Sequence, residues 1–124
     1  MIDLPFALRL ARIGFLRSTE KIRVGAALVD KGLLIIGSNQ RKSSPALIRY
    51  KYRFIDSMHA ETSLFARLTK VGKNAIVGVY RETAAGELAL ARPCEGCMRL
   101  LREHGVRATI FTTANGYTME KINV

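Results

Sequence analysis

The sequence predicts an α/β protein, a three-layer α/β/α sandwich around a five-stranded mixed sheet. Two observations carry this prediction. Hydrophobic periodicity along the 124 residues gives the order α-β-β-α-β-α-β-β. The apolar fraction of 48% over a chain of this length is enough for one buried core without disulfide bonds. We therefore expect a single domain spanning residues 1–124.

The first half of the chain predicts a helix followed by a β-hairpin. Residues 4–18 place apolar side chains at helical spacing, with arginines between them. Residues 23–29 and 33–38 are two short apolar runs, and the intervening segment ends in Gly32, which is typical of a hairpin. Because both runs are continuously apolar, we expect the sheet to be covered on both faces. Residues 40–58 have no clear period and predict a loop.

The second half predicts two more helices and three more strands. In chain order these are a helix over 59–68, a strand over 75–80, a loop or hairpin over 82–92 around Ala85-Gly86, a helix over 94–104, a strand over 106–113 and a strand over 117–124. Gly105 is expected to end the last helix at its C′ position. Asn115-Gly116 is a typical two-residue hairpin turn, which makes the last strand antiparallel to the one before it.

The chain is strongly basic. Twenty Lys and Arg against ten Asp and Glu give a net charge of +10. This charge favours anionic partners such as nucleotides, nucleic acid or an anionic membrane surface. No apolar run approaches the ~20 residues that cross a bilayer, so no membrane partner is expected. The arginines near the start are compatible with a transit peptide, but the same stretch makes a good first helix.

The only two cysteines, Cys94 and Cys97, are three positions apart. A secreted disulfide scaffold would have more cysteines, spread more widely. A close pair in an otherwise Cys-free chain is typical of a metal site or a redox pair in a reducing compartment. We therefore expect a cytoplasmic protein.

Two fragments could meet in a metal site: His59-Ala60-Glu61 and the segment from Pro93 to Cys97. Each begins a predicted helix, and Cys94 and Cys97 share one helical face. Helix N-termini stabilise negative charge and so favour the thiolates that bind metal. With His59 as the third ligand, a tetrahedral Zn²⁺ keeps one position open, as catalytic zinc does.

Glu61 is the candidate catalytic residue beside this site. A water bound to the zinc would have its pKa lowered toward ~7 and act as the nucleophile. Glu61, two residues after His59, can take the proton of this water and pass it to a ring nitrogen and then to the leaving amine. The combined pattern H-x-E and P-C-x-x-C is the signature of zinc nucleobase deaminases.

Two other interpretations of these residues involve no catalytic zinc. One is a redox C-x-x-C pair with an unrelated surface histidine. The other is a structural zinc site, which would need a fourth protein ligand. The only other histidine, His104, is expected to cap the C-terminal end of its helix, where a cation suits the helix dipole.

At this point the chain resembles the cytidine deaminase-like superfamily over nearly its whole length. The resemblance implies a Zn²⁺-dependent hydrolytic deaminase that forms homo-oligomers. His59 as first ligand looks like the deoxycytidylate, tRNA-adenosine and polynucleotide cytosine deaminases, since free cytidine deaminases usually place Cys there. The helix PCEGCMRLLREHG and the tight Asn115-Gly116 turn look instead like the cytidine deaminases and their antiparallel ending.

The resemblance also suggests substrate-binding residues. Family members with Asn at the position of Asn39 use it on the sugar or base, although a turn residue explains it too. The backbone of Ala60 is expected, by resemblance, to contact the amide edge of the base. Arg92, where many relatives have a small or polar residue, is compatible with a phosphate contact and equally with a surface residue.

A basic and aromatic segment adds a second group of candidates. Residues 41–54 hold five basic residues interleaved with aromatics, and Arg41 and Tyr52 represent the two types. Such a mixture suits phosphate contacts and base stacking. The alternative is an edge segment whose aromatics pack on the core and whose charges are solvated.

The sequence favours conversion of a cytosine nucleoside or nucleotide, such as deoxycytidylate, to the uracil form with release of ammonia. The alternative enzyme acts on cytosine in single-stranded nucleic acid, or on adenosine in RNA. The non-enzyme alternative is a catalytically dead nucleic-acid-binding module, against which the intact Glu61 argues.

Overall fold

The computed structural model describes residues 3–39, 59–65 and 74–122. Its helices and strands follow the predicted order. They are α1 (Phe6–Arg17), β1 (Gly25–Asp30), β2 (Leu33–Ser38), α2 (Ala60–Ser63), β3 (Ile76–Tyr80), α3 (Glu95–Glu103), β4 (Ala108–Thr113) and β5 (Gly116–Lys121). The predicted loop over 40–58, including Arg41 and Tyr52, lies outside the described residues, as does the predicted helix beyond Phe65. None of the described helices is long and apolar enough to cross a membrane.

The five strands form one mixed sheet in the order β2-β1-β3-β4-β5. β3 and β4 are parallel and are joined through α3, whereas the other neighbouring pairs are antiparallel. The crossover between parallel strands places α3 on a face of the sheet. The predicted mixed sheet and its antiparallel last strand are confirmed.

Helices cover both faces of the sheet. On one face, α1 packs on Ala27, Tyr80 and Ile110, and Phe15 meets Tyr80 edge-on with ring centroids 5.3 Å apart. On the opposite face, a larger cluster includes Leu28, Val77, Val79, Leu100, Leu101 and Phe65, from the strands, α3 and the α2 region. Alternate residues of β1 face opposite layers, as the pleat of a strand requires. The three-layer arrangement is therefore the observed one.

The prediction that both strands of the first hairpin are covered on both faces is right for β1 and wrong for β2. β1 has buried residues on both faces, but β2 is an edge strand, and Leu33 and Leu34 at its start are 37% and 53% exposed. An edge strand begins beyond the helices that cover the centre of the sheet, so its apolar run is not a measure of its burial. The turn itself is as expected, with Lys31-Gly32 at the tip and Gly32 at a φ of 73°.

The second hairpin turns one residue earlier than predicted. Thr113 pairs with Gly116, so the two loop residues are Ala114 and Asn115 rather than Asn115-Gly116. The Thr113 hydroxyl accepts a hydrogen bond from the Asn115 N–H at 3.2 Å, which closes the turn at this point. Gly116 is then the first residue of β5, in a φ of 136° that favours glycine.

The ends of α3 agree with the prediction. Gly105 follows the helix with a φ of 85°, and the Val106 N–H donates back to the Leu101 carbonyl. His104 donates from Nδ1 to the Leu100 carbonyl at 2.9 Å and stacks on Phe65. His104 therefore caps the helix, as predicted from the sequence.

Candidate active site

Three potential metal ligands meet where α2 and α3 begin. His59 is the N-cap of α2 and Cys94 the N-cap of α3, whose Sγ accepts from the Cys97 N–H at 3.5 Å. The Nδ1 atom of His59 lies 3.5 Å from the Cys97 sulfur and 3.8 Å from the Cys94 sulfur. All three ligand atoms lie within 4.8 Å of one another. The structure thus brings together the three ligands that the sequence predicts.

The donor set fits Zn²⁺. With Zn–S near 2.3 Å and Zn–N near 2.0–2.1 Å, a tetrahedral angle puts the nitrogen and sulfur about 3.6 Å apart. The observed distances are close to this value. The contact with Cys94 and then burial raise the pKa of the Cys97 thiol well above its ordinary value. A divalent cation at the centre of the group is what would let both sulfurs ionise.

The strands of the sheet position the three potential metal ligands. Cys94 follows β3 along the chain and begins the helix of the β3-α3-β4 crossover. Gly37 of β2 lies under α2, where a Cβ would approach the Ser63 Oγ to 2.1 Å and the Ala60 carbonyl oxygen to 2.8 Å. Because Gly37 has no side chain, α2 can lie directly on the sheet and hold His59 next to the cysteines.

Glu61 lies in the first turn of α2 and is only 4% exposed. Burial raises the pKa of its carboxyl group, which the charge of the neighbouring His59 and a hydrogen bond with Cys97 partly oppose. A buried carboxyl group beside a metal site is suited to hold and release a proton. Glu61 is thus placed where the sequence expects the proton carrier.

A cavity of about 300 Å³ opens onto the ligands. This volume is at the small end of ligand pockets, which are roughly 300–1,000 Å³. Its lining combines the site with an apolar wall: Ile22, Val24, Asn39, His59, Ala60, Glu61, Val79, Arg81, Leu90, Ala91, Arg92 and Cys94. Four residues that the sequence proposes for catalysis or substrate binding therefore share this cavity: Asn39, Ala60, Glu61 and Arg92.

Asn39 lines the cavity, but its amide also holds the segment before β1. Its Oδ1 accepts from the Ser18 hydroxyl at 2.6 Å and the Val24 N–H at 3.0 Å, and its Nδ2 donates to the Ile22 carbonyl at 2.7 Å. These bonds fix the cavity wall formed by residues 22–24. A direct substrate contact by Asn39 remains a prediction.

Arg92 also reaches the cavity, with its guanidinium group engaged elsewhere. It donates from Nε and Nη2 to the two carboxylate oxygens of Glu120 on β5, at 2.9 and 2.8 Å. The pair raises the pKa of Arg92 and lowers that of Glu120. The charge of Arg92 is thus compensated within the chain, and its predicted phosphate contact remains a prediction.

Arg81 is a cavity residue that the sequence reasoning missed. It follows β3 directly, and its backbone is held by Ala89 and Thr112. Its Nη1 is 3.4 Å from the Leu90 carbonyl, and its buried Nε has no acceptor among the residues that the structure describes. The sequence signal that could have identified Arg81 is its position. It is a single cation at the carboxyl end of an apolar strand, on the segment that leads to α3.

Residues 82–92 form a small hairpin beside the site. The sequence predicts a loop or a hairpin here, and the structure has the hairpin. Glu82 and Leu88 form an isolated antiparallel bridge, and Thr83 donates to Glu87 at 2.7 Å. Gly86 has a φ of 84° at the turn. The hairpin returns Leu90, Ala91 and Arg92 to the cavity wall.

Comparison with known proteins agrees with the fold and with a zinc-binding region. The family model for the cytidine and deoxycytidylate deaminase zinc-binding region matches residues 6–113. Cytidine deaminase from Burkholderia pseudomallei superimposes with a TM-score of 0.67 at 17% identity, covering 94% of this chain and 90% of that one. Cytidine deaminase from Mycobacterium leprae superimposes with a TM-score of 0.59 at 23% identity, covering 94% of each chain. No curated protein matches the chain.

Proposed function

We propose that this chain, which belongs to the cytidine and deoxycytidylate deaminase zinc-binding family, deaminates a cytosine nucleoside or nucleotide such as deoxycytidylate. Water replaces the amino group, and the products are the uracil form and ammonia. One observation carries the proposal: His59, Cys94 and Cys97 form a zinc-type ligand group beside the buried Glu61, at the wall of a small cavity. The family and this ligand geometry support a zinc-dependent deaminase, and the choice of substrate is the proposed part.

His59, Cys94 and Cys97 would hold the metal. When bound, Zn²⁺ supplies a Lewis acid that makes water nucleophilic near neutral pH. Glu61 removes a proton from the water whose oxygen bonds to C4 of cytosine, and delivers that proton to N3 of the ring. It then carries the second proton of the same oxygen to the exocyclic nitrogen, and the C4–N4 bond breaks with release of ammonia.

The remaining cavity residues suit a small, partly apolar substrate. Val24, Val79 and Ala91 provide apolar wall, and the backbone of Ala60 lies between the metal ligand and the acid. A ring stacked against such a wall is excluded from water while its polar edge faces Glu61. We assign Ala60 to the amide edge of the base and Asn39 to the cavity wall that contacts the sugar or base.

The antiparallel β4-β5 pair supports a cytidine deaminase-like enzyme acting on free substrates. The sequence resemblance links this ending to the cytidine deaminases, and both structural neighbours named above are cytidine deaminases. A homo-oligomeric, cytoplasmic enzyme is the corresponding proposal, based on the resemblance and on the sparse cysteines.

A second candidate is deamination of cytosine in single-stranded nucleic acid. It is favoured by the net charge of +10 and by Lys21, Arg23 and Arg81, which line a second cavity that shares Arg81 with the first. Such charges attract a polynucleotide backbone as well as a single phosphate. The nucleotide remains our first choice because the metal-facing cavity is small.

The test is a substrate panel with the zinc-loaded protein. Deoxycytidine, deoxycytidylate and a cytosine-containing single-stranded oligonucleotide are incubated separately, and uracil formation is followed by absorbance and mass. We expect the two monomers to lose ammonia and the oligonucleotide to remain unchanged. Turnover of the oligonucleotide alone would instead establish the second candidate, and tight oligonucleotide binding without any turnover would reject an enzyme.

A further inference from the structure

A second cavity adjoins the one that faces the metal ligands. Its volume is about 520 Å³, and it is lined by Phe15, Lys21, Ile22, Arg23, Arg81, Glu82, Thr83, Ala84 and Gly86. We call it the basic cavity. It shares Ile22 and Arg81 with the metal-facing cavity, so these two residues form the boundary between the two spaces. A ligand that extends past this boundary would occupy both.

Positive charge dominates the basic cavity. Lys21, Arg23 and Arg81 line it, and Glu82 is the one acid among the lining residues that the structure describes. The Glu82 carboxylate is already engaged, because it accepts from the Tyr80 hydroxyl at 2.5 Å and lies 3.8 Å from Nε of Arg12. Even with the Glu82 charge counted in full, three cations against one acid leave the described lining positively charged, which suits an anion.

Arg81 is the cation that lies at the boundary, where such an anion would be in reach. Its backbone N–H donates to the Thr112 hydroxyl at 3.2 Å, and its carbonyl accepts from the Ala89 N–H at 3.0 Å, so its position on the wall is fixed. Its Nε is buried without an acceptor among the described residues. A buried donor of a charged group normally has a partner, and phosphate oxygens match the fork of a guanidinium group.

Arg92 provides a useful contrast within the same wall. Its guanidinium group makes a bidentate pair with Glu120, whereas no ion pair of Arg81 occurs within residues 3–39, 59–65 and 74–122. Arg81 and Arg92 both line the metal-facing cavity, and of this pair only Arg81 also lines the basic cavity. The structure thus favours Arg81 over Arg92 as the residue for an anionic group.

We propose that the basic cavity binds the phosphate of a cytosine nucleotide, with Arg81 as the contacting residue and Lys21 and Arg23 completing the site. The inference rests on the proposed function and narrows it to a nucleotide substrate. The base would occupy the metal-facing cavity beside Glu61, and the sugar would pass the boundary at Ile22. The phosphate then determines specificity through binding and takes no part in the chemistry at C4.

The test compares deoxycytidylate with deoxycytidine, and with a cytosine-containing single-stranded oligonucleotide, in zinc-loaded wild type and variants. For Arg81→Gln we expect the ratio of kcat/KM for deoxycytidylate to kcat/KM for deoxycytidine to fall on the order of 10- to 100-fold, mainly through KM. For Lys21→Gln and Arg23→Gln we expect a fall of a few fold, because their side chains are exposed and screened by solvent. Circular dichroism and zinc content establish that each variant is folded.

Lys31→Gln is the matched control, since it removes the same charge at the β1-β2 turn, at the opposite end of β1. An unchanged ratio in all three variants, or a fall equal to that of Lys31→Gln, would overturn the basic cavity as a phosphate site. A loss confined to an oligonucleotide substrate would overturn the free nucleotide as its occupant. If the wild type deaminates none of the substrates, the proposed function itself fails, which is a different result from an unchanged ratio.

Discussion

A glycine lets a helix approach the sheet closely on each face, but the metal ligands lie on only one of these faces. On the α1 face, a Cβ at Gly25 would lie 2.0 Å from the Ala11 carbonyl oxygen and 2.1 Å from the Phe15 nitrogen. On the opposite face, a Cβ at Gly37 would meet α2, which begins after the metal ligand His59. Close contact between helix and sheet therefore stabilises the fold on the first face, whereas on the second it also positions the metal ligand His59.

This difference shows that the metal ligands are gathered on one face of the sheet. The α1 face consists of apolar contacts centred on Leu8, Ala11 and Phe15, and no member of the ligand group lies there. The other face joins a large apolar cluster to the starts of two helices, where the polar groups of His59, Glu61 and Cys94 meet. Substitutions on the α1 face should therefore lower stability, whereas substitutions at the site on the other face should lower zinc binding or turnover.

The largest effect is expected when a ligand is removed. Cys97→Ala leaves an imidazole and one thiol, which are too few protein ligands for tight zinc binding. We expect loss of bound zinc and of turnover to background, measured by metal analysis after dialysis and by uracil formation. Met98→Leu, a conservative change at the next residue, should keep both. One zinc per chain in Cys97→Ala would contradict the ligand assignment.

Removal of the proton carrier should separate metal binding from turnover. Glu61→Gln keeps the shape of the side chain but cannot take a proton, so we expect zinc content to stay the same while kcat falls on the order of 10³-fold. Glu95→Gln is the matched control, because Glu95 is an exposed carboxylate in the first turn of α3. Wild-type turnover in Glu61→Gln would remove Glu61 from the mechanism.

The smallest effect on activity is expected from the glycine of the α1 face. Gly25→Ala forces α1 away from the sheet, and we expect the free energy of unfolding to fall by about 3 kcal/mol, measured by urea denaturation. The folded fraction should keep wild-type zinc content. Gly37→Ala is the paired variant, and it should weaken zinc retention as well, because the Ala60 carbonyl must shift. Equal zinc retention in both variants would contradict the claim that only the α2 contact with the sheet positions a metal ligand.

Much of the fold and of the metal group could be predicted because the signals are local. Hydrophobic periodicity reports which side of a helix or strand is buried, and Gly32 and Gly105 mark backbone turns through their own conformations. The spacing of Cys94 and Cys97 corresponds to one turn of helix, so their convergence requires only that the helix begins there. The order of elements and the pairing of the two cysteines follow from such local rules, whereas the meeting of His59 with them was expected from the combined motif.

What only the tertiary structure decided depends on contacts between distant parts of the chain. The exposure of Leu34 follows from the place of β2 at the sheet edge, which no local pattern reports. Arg92 and Arg81 are both cations near the cysteine helix, yet Arg92 meets Glu120 of β5, 28 residues away, while Arg81 lies between two cavities. The charge of a side chain is known from the sequence. Whether that charge is compensated depends on which neighbours the fold brings to it.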